Sequence, residues 1–195
     1  GVSEGTANRV FLEYAEARTV RSIVGSAKDV LERLIQCGNL AGATDIFRVT
    51  TESPFFYYEI VEEAWRRHVE NGNDETTTDG LPEGTNIQIF ALKALQESHR
   101  LGDEPHRSEL CGLYIREHRD QFRVEVVDIP PELERVDLRL TVDYPEDLIL
   151  CREVFAHFKS KAPRFPIAEV IRFLDTRPDL QALVRPYVVP KKLWS

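Results

Sequence analysis

Two periods of hydrophobic residues run along this chain. Leu138, Leu140 and Val142 alternate with Arg139 and Thr141, the period-2 pattern of a strand. The pattern stops at Asp143. Pro145 then suits the first turn of a helix, and Glu146 and Asp147 fall where a helix's positive N-terminus favours acids. Leu148, Leu150, Val154 and Phe155 carry that helix onward. Shorter alternating or apolar runs predict strands at Val20 to Val24, around Ile46, Phe47 and Val49, from Gly84 to Phe90, and through Phe122, Val124 and Val126. Helical spacing predicts helices over residues 7–18, after Gly25 with Val30, Leu31, Leu34 and Ile35 inward, and over Ile60, Val61, Ala64, Trp65 and His68. Further helices are predicted over 91–101, from Phe165-Pro166 through Leu174, and around Leu180 to Val184. Ser26 reads as a helix N-cap, with Asp29 three residues on as in a capping box. The polar, threonine-rich stretch from Asp74 to Glu83 reads as a mobile loop of the kind that often lies over sites.

Strands alternating with helices predict an α/β domain over residues 1–195. Asp143 then stands at the carboxyl end of a strand and the mouth of a helix, where open α/β sheets bind ligands. A carboxylate there suits Mg²⁺, which takes few protein oxygens and leaves room for phosphates. Asp147, in the first helical turn, is expected to serve the helix dipole. His68 is expected to be structural, because no second ligand type lies four residues on.

Composition narrows the partners. The net charge of −8 argues against a nucleic-acid backbone, which needs clustered Lys and Arg, but not against a nucleotide escorted by a metal. No apolar run is long enough to span a bilayer, and the first residues do not read as a signal peptide. Cys37, Cys111 and Cys151 lie far apart and fit no metal spacing; they are expected to be reduced, mostly buried thiols of a cytoplasmic protein.

The segment Arg139-Leu140-Thr141-Val142-Asp143-Tyr144-Pro145-Glu146-Asp147-Leu148 resembles the C-terminal signature of the sugar-activating cytidylyltransferases. That group contains CMP-KDO synthetase, CMP-sialate synthetase and the spore-coat polysaccharide cytidylyltransferase-like proteins. Further segments match in order. Gly25-Ser26 with Asp29-Val30-Leu31 and Arg33 matches a family segment close to the nucleotide. Arg48-Val49-Thr50-Thr51-Glu52-Ser53-Pro54-Phe55 resembles Arg-x-Thr-x-Asp-x-Pro-Leu, whose aspartate is a metal-site carboxylate; Glu52 holds that place. Gly84 to Phe90 resembles Gly-x-Asp-x-Glu-x-Phe, with Asn86 and Gln88 at the two acids, and Ser108 to Ile115 resembles a helix Arg-Glu-His-Val-Thr-x-Tyr-Ile, with Glu109 retained and Leu110 for histidine.

The resemblance implies the nucleotide-diphospho-sugar transferase fold, a three-layer α/β/α sandwich with a mostly parallel mixed sheet. It implies attack of a sugar oxygen on the α-phosphate of CTP, giving a CMP-sugar and pyrophosphate. Asp143 and Glu52 would be the catalytic and metal carboxylates for Mg²⁺. Arg33, Arg48, Asn86, Gln88 and Glu109 would bind substrate, and a homodimer is admitted. The family's first strand and Gly-rich phosphate loop have no counterpart, so the chain matches the C-terminal three quarters of the family domain. The amides at 86 and 88, Glu52 and Leu110 favour an alternative: a catalytically diverged relative binding a sugar or a partner, or a structural module of a larger enzyme.

Overall fold

The computed structural model describes residues 1–190. In chain order the strands and helices are β1 (Val2–Ser3), α1 (Arg9–Ala17), β2 (Val24–Gly25), α2 (Val30–Ala41), β3 (Asp45–Arg48), α3 (Val61–Asn71), β4 (Glu75–Thr77), β5 (Gln88–Ala91), α4 (Leu92–Leu101), α5 (Leu113–Glu117), β6 (Val124–Val126), α6 (Pro145–Phe158), α7 (Ile167–Asp175) and α8 (Pro178–Val184). The α/β class expected from the sequence is observed. β1 and β2 pair in parallel, and the other strands form a sheet in the order β3-β5-β4-β6. The chain divides into two compact units, with boundaries inside β3, β4, β5 and β6 and at the end of α3.

The first unit comprises Gly1–Ile46, Gly72–Glu75 and Phe90–Val124. Its core packs Leu31 and Ile35 of α2 against Leu92 and Leu95 of α4 and Tyr114 and Ile115 of α5. The N-cap of α2 is Asp29, whose carboxylate accepts the Glu32 amide at 2.8 Å. Ser26, the expected cap, instead accepts the amides of Lys28 and Asp29 in the turn before the helix. Both residues are good caps, and the chain's path into the helix decides between them. Only Val24–Gly25 of the run from Val20 is paired. The helix expected from Glu109 begins at Leu113, and Glu109 and Leu110 lie exposed on the turn before it.

The second unit comprises Phe47–Asn71, Thr76–Ile89 and Glu125 onward. Its larger core joins Phe55, Leu138 and Leu140 to Leu150, Val154 and Phe158 of α6, Val170 and Leu174 of α7, and Leu180 and Val184 of α8. A smaller core sets Ile87, Ile89 and Val127 against Ala64 of α3, with Phe47 partly buried beside them. Val49, expected to be buried, is half exposed past the end of β3. His68 is buried with Nδ1 2.9 Å from the Thr76 hydroxyl, the structural role expected of it.

The stretch expected to be a mobile loop is interior. Thr76, Thr77 and Thr78 are buried in and just after β4. Their hydroxyls explain how a polar run can be there. Thr77 donates to the Ile87 carbonyl at 2.8 Å, and Thr78 donates to Asn86 and accepts the Ile87 amide. A buried hydroxyl with its bonds made costs little, and the branched threonine side chain suits a strand. The run 138–142 departs from expectation in the opposite sense. It is an extended segment with one bridge, Arg139 to Glu83 in parallel, rather than a full strand. Gly84, at φ +85°, lets the neighbouring chain come close: a Cβ there would lie 2.9 Å from the Leu140 carbonyl oxygen.

Candidate functional site

The segment 138–142 delivers Arg139 into the second unit. Arg139 and Thr141, the polar positions of the alternation, are both buried. Arg139 is tolerated there because three carboxylates meet it. Nη1 lies 2.6 Å from Glu83, Nη2 2.5 Å from Asp143, and Nε 2.9 Å from Asp147, to which Nη2 also donates at 3.0 Å. The ring of Tyr144 lies against the guanidinium, 5.5 Å from its centroid, and Tyr187 stacks on Tyr144 at 4.0 Å. Burial alone would lower the Arg139 pKa; the hydrogen bonds to Asp147 and Glu83 outweigh it and keep the group charged.

Asp147 is the buried member of this cluster. Its Oδ2 accepts the amides of Asp143 and Tyr144, both at 3.0 Å, and so fixes the turn that starts α6. Burial pushes its carboxyl up, but Arg139 and those two amides more than reverse this and hold it below the usual carboxylate range. Asp147 is therefore half of a buried ion pair, not only a dipole partner as expected from its place in the sequence. The buried Cys151 thiol, one turn along α6, is pushed up to about 12 by burial and by the Asp147 charge.

Asp143, like Glu83, is an exposed member; its side chain is 47% accessible. One oxygen faces Arg139 and the carboxylate as a whole opens to solvent. Glu52 comes from a different part of the chain to the same place. Its carbonyl accepts the Val142 amide at 2.8 Å and the Thr141 hydroxyl at 3.2 Å. Two backbone positions 90 residues apart are thereby pinned together, and the two carboxylates expected to hold a metal stand on adjoining loops. Among the described residues, no group of three or more His, Cys, Asp or Glu is arranged to hold a metal. Mg²⁺ is held in nucleotide enzymes by one or two carboxylates plus substrate phosphates.

The structure also brings together two of the expected substrate-binding residues. Arg48 of β3 donates to the Gln88 amide oxygen of β5 at 2.7 Å. Asn86, two residues earlier on the same face, accepts from Thr78 at 3.2 Å. Arg33 and Glu109 belong to the first unit, and Arg33 donates to the Ser26 carbonyl. Sequence reasoning missed Arg139, Glu83 and the two tyrosines. The available signal was a single arginine set among Asp137, Asp143, Glu146 and Asp147, a charge pattern that asks where its partners are.

A cavity of about 570 Å³ lies elsewhere in this unit, walled by Phe55, Phe56, Tyr58, Trp65 and Phe165, with Glu62 and Arg164. Phe56 packs edge-on against Phe47, with ring centroids 6.0 Å apart. None of the lining residues belongs to β3 or to the Arg48–Gln88 pair.

These features are those of an α/β protein in which three carboxylates gather round a buried arginine on an extended segment. No family model matches it. It is similar in structure, with a TM-score of 0.81 and 22% identity, to a cytidylyltransferase from Leptospira borgpetersenii, over 91% of this chain and 75% of that one. In sequence it is 26% identical to the spore coat polysaccharide biosynthesis protein SpsF of Bacillus subtilis, over 80% of this chain and 65% of SpsF. It is also 26% identical to an uncharacterised protein of Methanocaldococcus jannaschii, over 89% of this chain and 71% of that protein. The comparisons bear out the resemblance read from the sequence at the level of the fold, which is that of a cytidylyltransferase. The chain spans about two thirds of the length of SpsF. Among the described residues no helix is long and apolar enough to cross a membrane.

Proposed function

We propose that this protein activates a sugar or sugar acid with CTP, forming a CMP-sugar and releasing pyrophosphate in a Mg²⁺-dependent reaction. The observation that carries this reading is the meeting of Glu52 with Thr141 and Val142, which sets the Glu52 and Asp143 loops side by side in a cytidylyltransferase fold. The donors fit the ion: both are hard carboxylate oxygens, and Asp143 is accessible to solvent on its open side. Mg²⁺ would neutralise charge on the triphosphate. Asp143 would hold it directly and Glu52 would assist, its extra methylene giving longer reach than aspartate. Arg139 orients Asp143 from behind. In such transfers positioning and charge neutralisation supply most of the rate, with little covalent work for the protein.

The sugar would lie by Arg48, Gln88 and Asn86. Gln88 is already held by Arg48, so its amide group is pre-set to bond hydroxyls, and neither amide brings charge. The sugar bound here is therefore expected to differ from KDO and from sialic acid. The decisive assay follows pyrophosphate release from CTP and Mg²⁺ over a panel of sugars. Turnover with a neutral or weakly acidic sugar, lost in Gln88→Ala, supports the reading. Absence of release with every sugar overturns the activity, and efficient use of KDO or sialic acid overturns the specificity.

A further inference from the structure

The last described turn meets the candidate site through Tyr187. Tyr187 lies on Tyr144 with ring centroids 4.0 Å apart and planes within 12°. Tyr144 in turn covers the Arg139 guanidinium, and Arg139 is the group bonded to Asp143. Two more contacts tie this edge of the site together. The Tyr144 amide is fixed by Asp147, and burial, with Glu146 beside it, pushes the Tyr187 phenol up. Glu146 also has one buried carboxylate oxygen, Oε2, without a hydrogen-bond partner. The order Tyr187, Tyr144, Arg139, Asp143 is a continuous set of contacts from the last described turn to the solvent-open carboxylate of Asp143. A stack of this kind holds its two rings in register, while a guanidinium under a ring loses freedom to swing.

We infer that Tyr187 is a positioning residue, which through Tyr144 holds Arg139 and Asp143 in the geometry the site uses. Its role in turnover rests on the nucleotidyl-transfer reading; its hold on the turn does not. The part of Tyr187 that matters is its ring face, because the stack and not the hydroxyl bears on Tyr144. Phenylalanine should therefore replace it, and alanine should not.

The test compares wild type, Tyr187→Phe and Tyr187→Ala, with Val170 in the α7 core as an internal reference. The first readout is amide exchange at Asp143 and Tyr144, whose N–H groups are bonded to Asp147. Loss of the stack is expected to speed exchange at these two amides by roughly three- to tenfold, with Val170 unchanged and Tyr187→Phe like wild type. The second readout is pyrophosphate release as a function of Mg²⁺. Tyr187→Ala is expected to lower kcat and raise the Mg²⁺ needed for half activity, with the KM for the sugar little changed and Tyr187→Phe restoring both. Unchanged exchange at Asp143 and Tyr144 in Tyr187→Ala overturns the inference, as does a rise shared equally by Val170, which marks plain destabilisation. Faster local exchange with unaltered Mg²⁺ dependence in an active enzyme overturns the catalytic part. If wild type releases no pyrophosphate, the activity fails, and the exchange result alone decides whether Tyr187 holds the turn.

Discussion

At the scale of single residues, the site separates two aspartates four positions apart. Asp143 is half exposed and its pairing with Arg139 is screened by water, so removing its charge should cost only about 0–1 kcal/mol of stability. Asp143→Asn is expected to unfold in urea almost as wild type does, while Mg²⁺-dependent pyrophosphate release disappears. Asp147 inverts this. It is buried against a buried arginine and accepts two backbone amides, so Asp147→Ala strips Arg139 Nε and those amides of their acceptor, while Glu83 and Asp143 still meet the guanidinium, and should cost about 1–3 kcal/mol for each buried donor left open. Its pH dependence follows from the lowered carboxyl. A depressed native pKa stabilises fully above the ordinary unfolded value of about 3.9, and that stabilisation is lost as pH falls through the native value. Urea midpoints at pH 7 and at about pH 3 should show the gap between wild type and Asp147→Ala shrinking at the lower pH. A gap of equal size at both would show that the ionised carboxylate is not what stabilises the turn.

At the scale of elements, what aligns the site is an extended segment with little pairing of its own. Residues 138–142 are held by the Glu83 bridge on one side and by the Glu52 carbonyl on the other. Gly84 makes the first contact possible. A side chain there would meet the Leu140 backbone, and its φ of +85° is one that L residues rarely adopt. Gly84→Ala is expected to destabilise by roughly 1–3 kcal/mol and to lower turnover beyond what the loss of folded protein explains, because it pushes Thr141 away from Glu52. Activity per folded molecule, with the folded fraction taken from near-UV circular dichroism, checks this; unchanged specific activity would show that the segment tolerates the shift. β4 teaches the complementary lesson. Its threonines looked like a solvent loop by polarity, and only the partners of their hydroxyls, Ile87 and Asn86, make them interior residues.

At the scale of the whole molecule, charge sets the terms on which a nucleotide can bind. The chain carries a net −8, and Glu83, Asp143 and Asp147 surround Arg139 and use up its charge. A bare triphosphate would be repelled. Calorimetric titration of CTP is expected to show weak binding or none in EDTA and tighter binding with Mg²⁺. A micromolar dissociation constant in EDTA would place a metal-independent phosphate site within these residues.

The sequence by itself determined the order of most elements. α3, α4, α6, α7 and α8 begin and end close to where periodicity, Pro145, Pro178 and the Asn71-Gly72 break put them, because each of those signals acts within one or two turns of chain. It also offered Asp143 and Glu52 as candidates for the site, through a short local pattern that a resemblance could match. What it could not determine was which polar residues are inside. Arg139, Thr76, Thr77 and Asp147 read as outward or terminal, and each is buried because residues far along the chain, or across a turn, complete its hydrogen bonds. A buried polar group is affordable only when such partners arrive. Their arrival is a property of tertiary packing, as is the stack of Tyr187 on Tyr144, which joins residues 43 positions apart and leaves no periodic trace in the sequence.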